Sequence, residues 1–164
     1  MKGKIIFFLV VVLSFYACDK KEDFEQVNSS TVDVAGEWWV QYSDGEGYES
    51  GFYKLLTFNT AADDGQEMWI HDADHWWYYK VKCPVNVADK TFTGTNMISA
   101  ELYQGEPYDI SINITNGKII EGVSLQPSGV MADSIVFNIE FEDDAGTIYQ
   151  ASGFRKTGFL EDEH

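Results

Sequence analysis

The sequence predicts an all-β protein, an antiparallel up-and-down β-barrel of eight strands. Three observations predict it. From Trp38 onward apolar residues recur with a period of two, which marks strands with one dry and one wet face. The segments so marked are separated by short clusters of glycine, aspartate, asparagine and proline. No connection is long enough to hold a crossover helix, so successive strands must run antiparallel. Closure into a barrel removes the unpaired edges that so long a meander would otherwise expose. Periodicity alone does not fix closure, and an open sheet or a sandwich shares the same pattern.

The first strand opens in Gly36-Glu37-Trp38-Trp39-Val40-Gln41-Tyr42, where Trp38, Val40 and Tyr42 share one parity. A glycine- and acid-rich loop, residues 43–51, leads to a second strand from Phe52 to Asn59, and Ala62-Asp63-Asp64-Gly65 turns the chain into a third from Glu67 to His71. Asp72-Ala73-Asp74 then connects to a long aromatic strand, Trp76 to Val85, with Pro84 near its end where an edge or terminus tolerates it. Lys90 to Ile98 forms the next strand, and Gly105-Glu106-Pro107 supplies a turn. Tyr108 to Ile114 alternates cleanly, and Asn116-Gly117 predicts a two-residue hairpin into Lys118 to Leu125, because both residues tolerate positive φ. Pro127-Ser128-Gly129 ends that strand. Ile135, Phe137, Ile139 and Phe141 mark the next, which Asp143-Asp144-Ala145-Gly146 reverses into Thr147 to Lys156.

The N-terminus reads as export. Lys2 and Lys4 precede an apolar run from Ile5 to Leu13, so residues 1–17 are expected to be a signal peptide, too short for a comfortable transmembrane helix. Ala17-Cys18 resembles a bacterial lipoprotein cleavage site, which implies that Cys18 becomes the acylated mature N-terminus. Residues 18–33 are polar and are expected to be a flexible tether, followed by one domain over residues 34–160 and an acidic tail, residues 161–164. Lys21-Glu22-Asp23 resembles the signals that route lipoproteins of the Bacteroidetes outward. The expected location is therefore the outer membrane, on the cell surface in preference to the periplasmic face.

Charge and cysteines narrow the class further. Cleavage after residue 17 would remove Lys2 and Lys4 and no acid, taking the formal charge from -16 to -18. Such a chain repels nucleic acid and anionic bilayers, so membrane contact is expected through the lipid. With Cys18 acylated, Cys83 has no partner for an intrachain disulfide, and in a strand it reads as a small buried apolar residue.

Gly36-Glu37-Trp38 resembles the glycine-x-tryptophan motif that opens the first strand of lipocalins and related calycin barrels. In that family the tryptophan packs across one barrel end under a basic residue from the last strand, a place that Arg155 fills here in Ser152-Gly153-Phe154-Arg155-Lys156-Thr157-Gly158. The resemblance implies that Gly36, Trp38 and Arg155 are structural. The whole layout is similar to the small lipocalin-like lipoproteins of Bacteroidetes described as lipid-binding putative hydrolases, over about residues 30 to 160.

A barrel interior rich in aromatic residues suits a small hydrophobic or amphipathic ligand, and Tyr42, Phe58, Trp69, Trp77 and Tyr79 are the candidate wall residues. The same side chains would equally fill a small barrel, and parity does not say which face points inward. Exposed Trp76 or Tyr78 would suit stacking on a sugar ring. His71 and His75 flank a turn and, with Asp72 or Asp74, are weak candidates for zinc, but no metalloenzyme spacing accompanies them, so no metal or other cofactor is expected. The acidic loops read as solvated faces, not calcium sites. Gly47-Tyr48-Glu49-Ser50-Gly51 only superficially resembles a nucleophile elbow, and Cys83 with His75 would need a cross-strand approach. No catalytic set is visible and oligomeric state is not encoded. The expectation is a lipid-anchored envelope protein that binds a small hydrophobic or amphipathic ligand. The alternative is a surface interaction or glycan-capture accessory, and a hydrolase ranks third.

Overall fold

The computed structural model describes residues 28–164. The expected signal segment, Cys18 and most of the tether lie outside the described residues. The strands are β1 (Gly36–Ser43), β2 (Tyr53–Asn59), β3 (Glu67–Asp72), β4 (Lys80–Asn86), β5 (Thr91–Ile98), β6 (Leu102–Tyr103), β7 (Glu106–Pro107), β8 (Ser111–Leu125), β9 (Met131–Phe141) and β10 (Tyr149–Arg155). Eight of them close a barrel in the order β1-β10-β9-β8-β5-β4-β3-β2, and β6 with β7 makes a separate small hairpin. Each barrel strand lies antiparallel beside its neighbours in the chain, and β1 closes on β10 with Trp38 opposite Arg155. The up-and-down barrel read from the sequence is the observed fold.

Alternation decides what fills it. Trp38, Val40 and Tyr42 of β1, Leu55 and Thr57 of β2, and Met68 and Ile70 of β3 all point inward and are buried. Val81 and Cys83 of β4, Ile112 and Ile114 of β8, and Ile135, Phe137, Ile139 and Phe141 of β9 complete one continuous core. Burying side chains of this size contributes roughly 1.5–3 kcal/mol each, which is the main force holding the barrel shut.

Three expectations are corrected. The strand expected from Trp76 to Val85 begins only at Lys80, because His75 (φ 57°) and Tyr78 (φ 53°) break the extended backbone and turn residues 73–79 into a loop. The hairpin expected at Asn116-Gly117 is a β-bulge inside the unbroken β8: Thr115 faces Asn138 and Lys118 faces Val136, so β8 carries one extra residue. Asn116 supplies the positive φ, 55°, that the bulge requires. The tether expected through residue 33 ends earlier, since Ser30 donates to Asp63 through both its backbone N–H and its hydroxyl, and Thr31 is buried. The acidic tail is docked: Asp162 accepts hydrogen bonds from Ser128 and Thr157, and His164 stacks on Phe52.

Candidate ligand-binding site

One barrel end is closed by a latch. The Arg155 guanidinium lies 4.4 Å from the Trp38 ring centroid, donates to Ala35 O, and pairs through Nε with Asp133 at 3.0 Å. The Trp38 indole N–H donates to Thr57 Oγ1 at 2.9 Å, and Thr57 passes the chain of bonds on to Val34 O at 2.7 Å. Gly36 has no side chain because a Cβ there would collide with the guanidinium. The polar atoms of the latch are thus paired in the place where burial would otherwise penalise them.

The other end is plugged by aromatic rings. Trp76 from the β3–β4 loop stacks on Tyr42 at 3.7 Å, and Trp77 stacks on Phe141 at 4.6 Å. Beneath them Tyr42 and Tyr79 share a hydroxyl hydrogen bond of 3.0 Å, and burial drives both phenols well above their ordinary pKa. Asp72 accepts from the Trp77 backbone N–H at 2.7 Å, while its Oδ1 has no hydrogen-bond partner among the described residues. Burial raises its carboxyl to about 6, against the lowering effect of that hydrogen bond.

Of the five residues expected to wall a cavity, Tyr42 and Tyr79 are buried in the interior and Trp77 sits in its mouth. Phe58 and Trp69 are on the outer face, a correction with a simple cause. The inward parity belongs to Leu55 and Thr57 in β2 and to Met68 and Ile70 in β3, which leaves Phe58 and Trp69 paired outside, 6.5 Å apart. There the Lys80 and Lys82 ammoniums lie 5.2 and 5.3 Å from the Trp69 ring. Because the inward side chains have almost no accessible surface, none of them borders a void wide enough for water. The barrel is packed through its length.

Concavity is found instead on the wall. A groove of about 850 Å³ runs over β4, β5 and β8. Its origin is a weak seam: β4 and β5 share only the register pairs Val85–Phe92 and Asn86–Thr91. Pro84 cannot donate to a ladder, and β5 bulges at Asn96 (φ 52°) before Ala100 N–H rejoins Lys80 O at 2.8 Å. Pro84 and Val85 supply apolar surface to the groove over the buried Phe92 ring at its floor, and Gly117 opens space for that ring, which a Cβ would strike. Gln66, Asn86, Thr91, Thr93, Thr115 and Asn116 supply amide and hydroxyl groups, and Lys118 contributes a cation. An apolar surface bordered by hydrogen-bonding groups and one ammonium matches an amphipathic molecule with an acidic end. The sequence could not show it, since the lateral packing of β4, β5 and β8, and no local pattern, brings its residues together.

The nucleophile candidates are committed elsewhere. Ser50 Oγ donates to Gly51 O at 2.7 Å and accepts from Tyr42 N–H at 2.8 Å. Cys83 points into the core, where burial pushes its thiol up to about 12. His71 and His75 do approach each other, but their third neighbour is Glu101, not the expected Asp72 or Asp74. Asp72 is turned to the Trp77 backbone, and Asp74 accepts from Lys54 N–H at 2.7 Å. Burial lowers the pKa of His71 even though Glu101 beside it pulls the other way.

The fold and these sites define a closed eight-stranded antiparallel β-barrel with a packed interior and an amphipathic groove on its wall. A model of the family described as "Lipid-binding putative hydrolase" matches residues 23–160. The chain belongs to that family. No curated protein matched it.

Proposed function

We propose that the protein binds a single-chain amphipathic lipid in the wall groove, with the chain along Pro84, Val85 and Phe92 and the acidic head at Lys118. The observation that carries this reading is the groove itself: apolar surface and one cation together in a chain of formal charge -16. Membership of a lipid-binding family supports the ligand class. The sequence of residues 1–18 supports a further element, attachment to the cell envelope through acylated Cys18 with the barrel displayed at the outer membrane.

The test is titration of the purified chain with a long-chain fatty acid. Lys118→Glu reverses the charge at the head position and should weaken binding by at least about tenfold, or about 1.4 kcal/mol. Thr115→Trp, an exposed rim position, should obstruct the groove. Parent-like affinity in both folded variants would reject the groove as the site.

One observation favours glycan capture as a second reading. Trp77, Tyr78, Tyr103, Tyr108 and Asp143 line a cleft of about 300 Å³ beside the plugged mouth, with rings for stacking and a carboxylate for hydroxyls. Glycan binding that disappears in Tyr103→Ala would support it.

A further inference from the structure

A second site lies at the plugged end of the barrel, away from the groove. His71 is the penultimate residue of β3, His75 stands in the loop after it, and Glu101 follows β5 on the far side of β4. The side-by-side packing of β3, β4 and β5 brings one ligating atom from each to within 4.8 Å of the others, and His71 Nε2 is 2.9 Å from Glu101 Oε2. We infer that His71, His75 and Glu101 bind one Zn²⁺ ion.

The donor set fits the ion. Two imidazoles and one carboxylate suit a borderline-soft divalent cation, and three protein ligands leave a fourth tetrahedral position for water. Tetrahedral ligands at about 2.0–2.1 Å stand about 3.4 Å apart, so closure asks for a shift of no more than about 1.4 Å. The exposed His75 ring, whose neighbour in the structure is Tyr78 at 4.7 Å between centroids, has room to make it.

The carboxylate is already oriented. Glu101 Oε1 accepts from Leu102 N–H at 3.1 Å, leaving Oε2 for the cluster. The Glu101 backbone is held as well, its N–H by Ser99 Oγ at 3.2 Å and its carbonyl by Tyr108 N–H at 2.9 Å. Such supporting bonds hold a ligand in place before the ion arrives. His75 adopts a left-handed backbone, φ 57°, an uncommon state for a residue of its size, and that conformation presents its ring beside His71. Lys80 faces His71 across the β3–β4 ladder, but its ammonium is drawn over the outer rings, 5.2 Å from Trp69 and 5.7 Å from Phe58.

Zinc there would join the β3–β4 loop to the segment after β5, reinforcing the edge contact of Tyr78 with Tyr103 at 4.9 Å. The inference is independent of the lipid reading, because the groove shares none of these residues.

The test is calorimetric titration of the purified, chelator-stripped chain with zinc chloride, with circular dichroism to check the fold of each variant. One ion per chain is expected. His75→Ala alters an exposed loop residue, and Glu101→Gln keeps the acceptor for Leu102 N–H while removing the charge. Loss of a supporting partner alone costs about 10–100-fold in metal affinity, so each of these ligand changes should cost at least about tenfold. Zinc should also raise the thermal midpoint of the parent and not of the variants. No stoichiometric uptake, or uptake unchanged in both folded variants, would overturn the assignment and leave only diffuse binding to the acidic surface.

Discussion

Arg155 covers Trp38 at 4.4 Å and ties the last strand of the barrel to the residues that precede the first. The two residues are also register partners across the β1–β10 seam, so the latch sits on the ladder that converts an open meander into a barrel. Cation–π attraction, a hydrogen bond to Ala35 O and the ion pair with Asp133 all converge on one side chain.

Arg155→Leu should therefore destabilise the protein by about 2–4 kcal/mol, combining a cation–π contribution of about 0.5–2 kcal/mol with loss of charge-assisted hydrogen bonds. Arg155→Lys keeps the charge but not the planar fork, and should fall between the variant and the parent. Urea unfolding midpoints at unchanged slope measure this. Equal stability of parent and Arg155→Leu would remove the latch from the account of closure.

Asn116 is held at φ 55° by the β8 bulge, a conformation that costs most L-residues about 1–2 kcal/mol. Asn116→Gly should preserve stability within a few tenths of a kcal/mol, while Asn116→Val should lose about 1–2 kcal/mol. A hairpin turn and a bulge both ask for positive φ, so this pair of variants measures the strain. Register is the separate readout: cross-strand nuclear Overhauser effects should place Thr115 opposite Asn138 and Lys118 opposite Val136, and not opposite each other.

That ambiguity shows what the sequence could express. Period-two alternation is a local signal, and it carried most strands because one face of each is buried. The latch was legible for a different reason, since Gly36, Trp38 and Arg155 each sit in a recognisable motif at a chain position that closure must unite. Asn116-Gly117 was misread because two structures need the same torsion. Trp76 and Trp77 were read as strand because aromatic side chains plugging a barrel mouth look the same in sequence as those lining a wall. Phe58 and Trp69 failed on parity, which distinguishes two faces without naming the inner one. Glu101 carried no local signal at all: only the neighbouring of β3, β4 and β5 brings it to His71.

Cys83 should be chemically silent in the folded protein. Burial raises its thiol to about 12, so at pH 8 the thiolate fraction is about 10⁻⁴, against about a tenth or more in an unfolded chain. Alkylation at Cys83, read by peptide mass spectrometry, should be at least about 10³-fold slower in native protein than in denaturant. Rapid native labelling would show that the β4 wall opens readily.

Asp72 makes the fold pay at neutral pH, and the sign can be derived. Its native pKa, about 6, stands above the ordinary 3.8 because burial disfavours the carboxylate. Between those values the native chain holds a proton that the unfolded chain has released, so stability falls as pH rises. The contribution is fully present below about 3.8, is lost progressively up to about 6, and is constant above, a difference of about 3 kcal/mol. Exposed carboxylates such as Asp44 and Asp63, which accept backbone hydrogen bonds and have lowered pKa, impose the opposite slope. The quantity to measure is therefore the difference between parent and Asp72→Asn, by urea unfolding in chelator from pH 4 to pH 7.5. Asparagine retains an acceptor for Trp77 N–H and does not titrate, so relative to the parent it should gain stability with rising pH, by an amount approaching the figure above. A difference independent of pH would mean that water or a shifted loop already solvates the Asp72 carboxylate in the folded state.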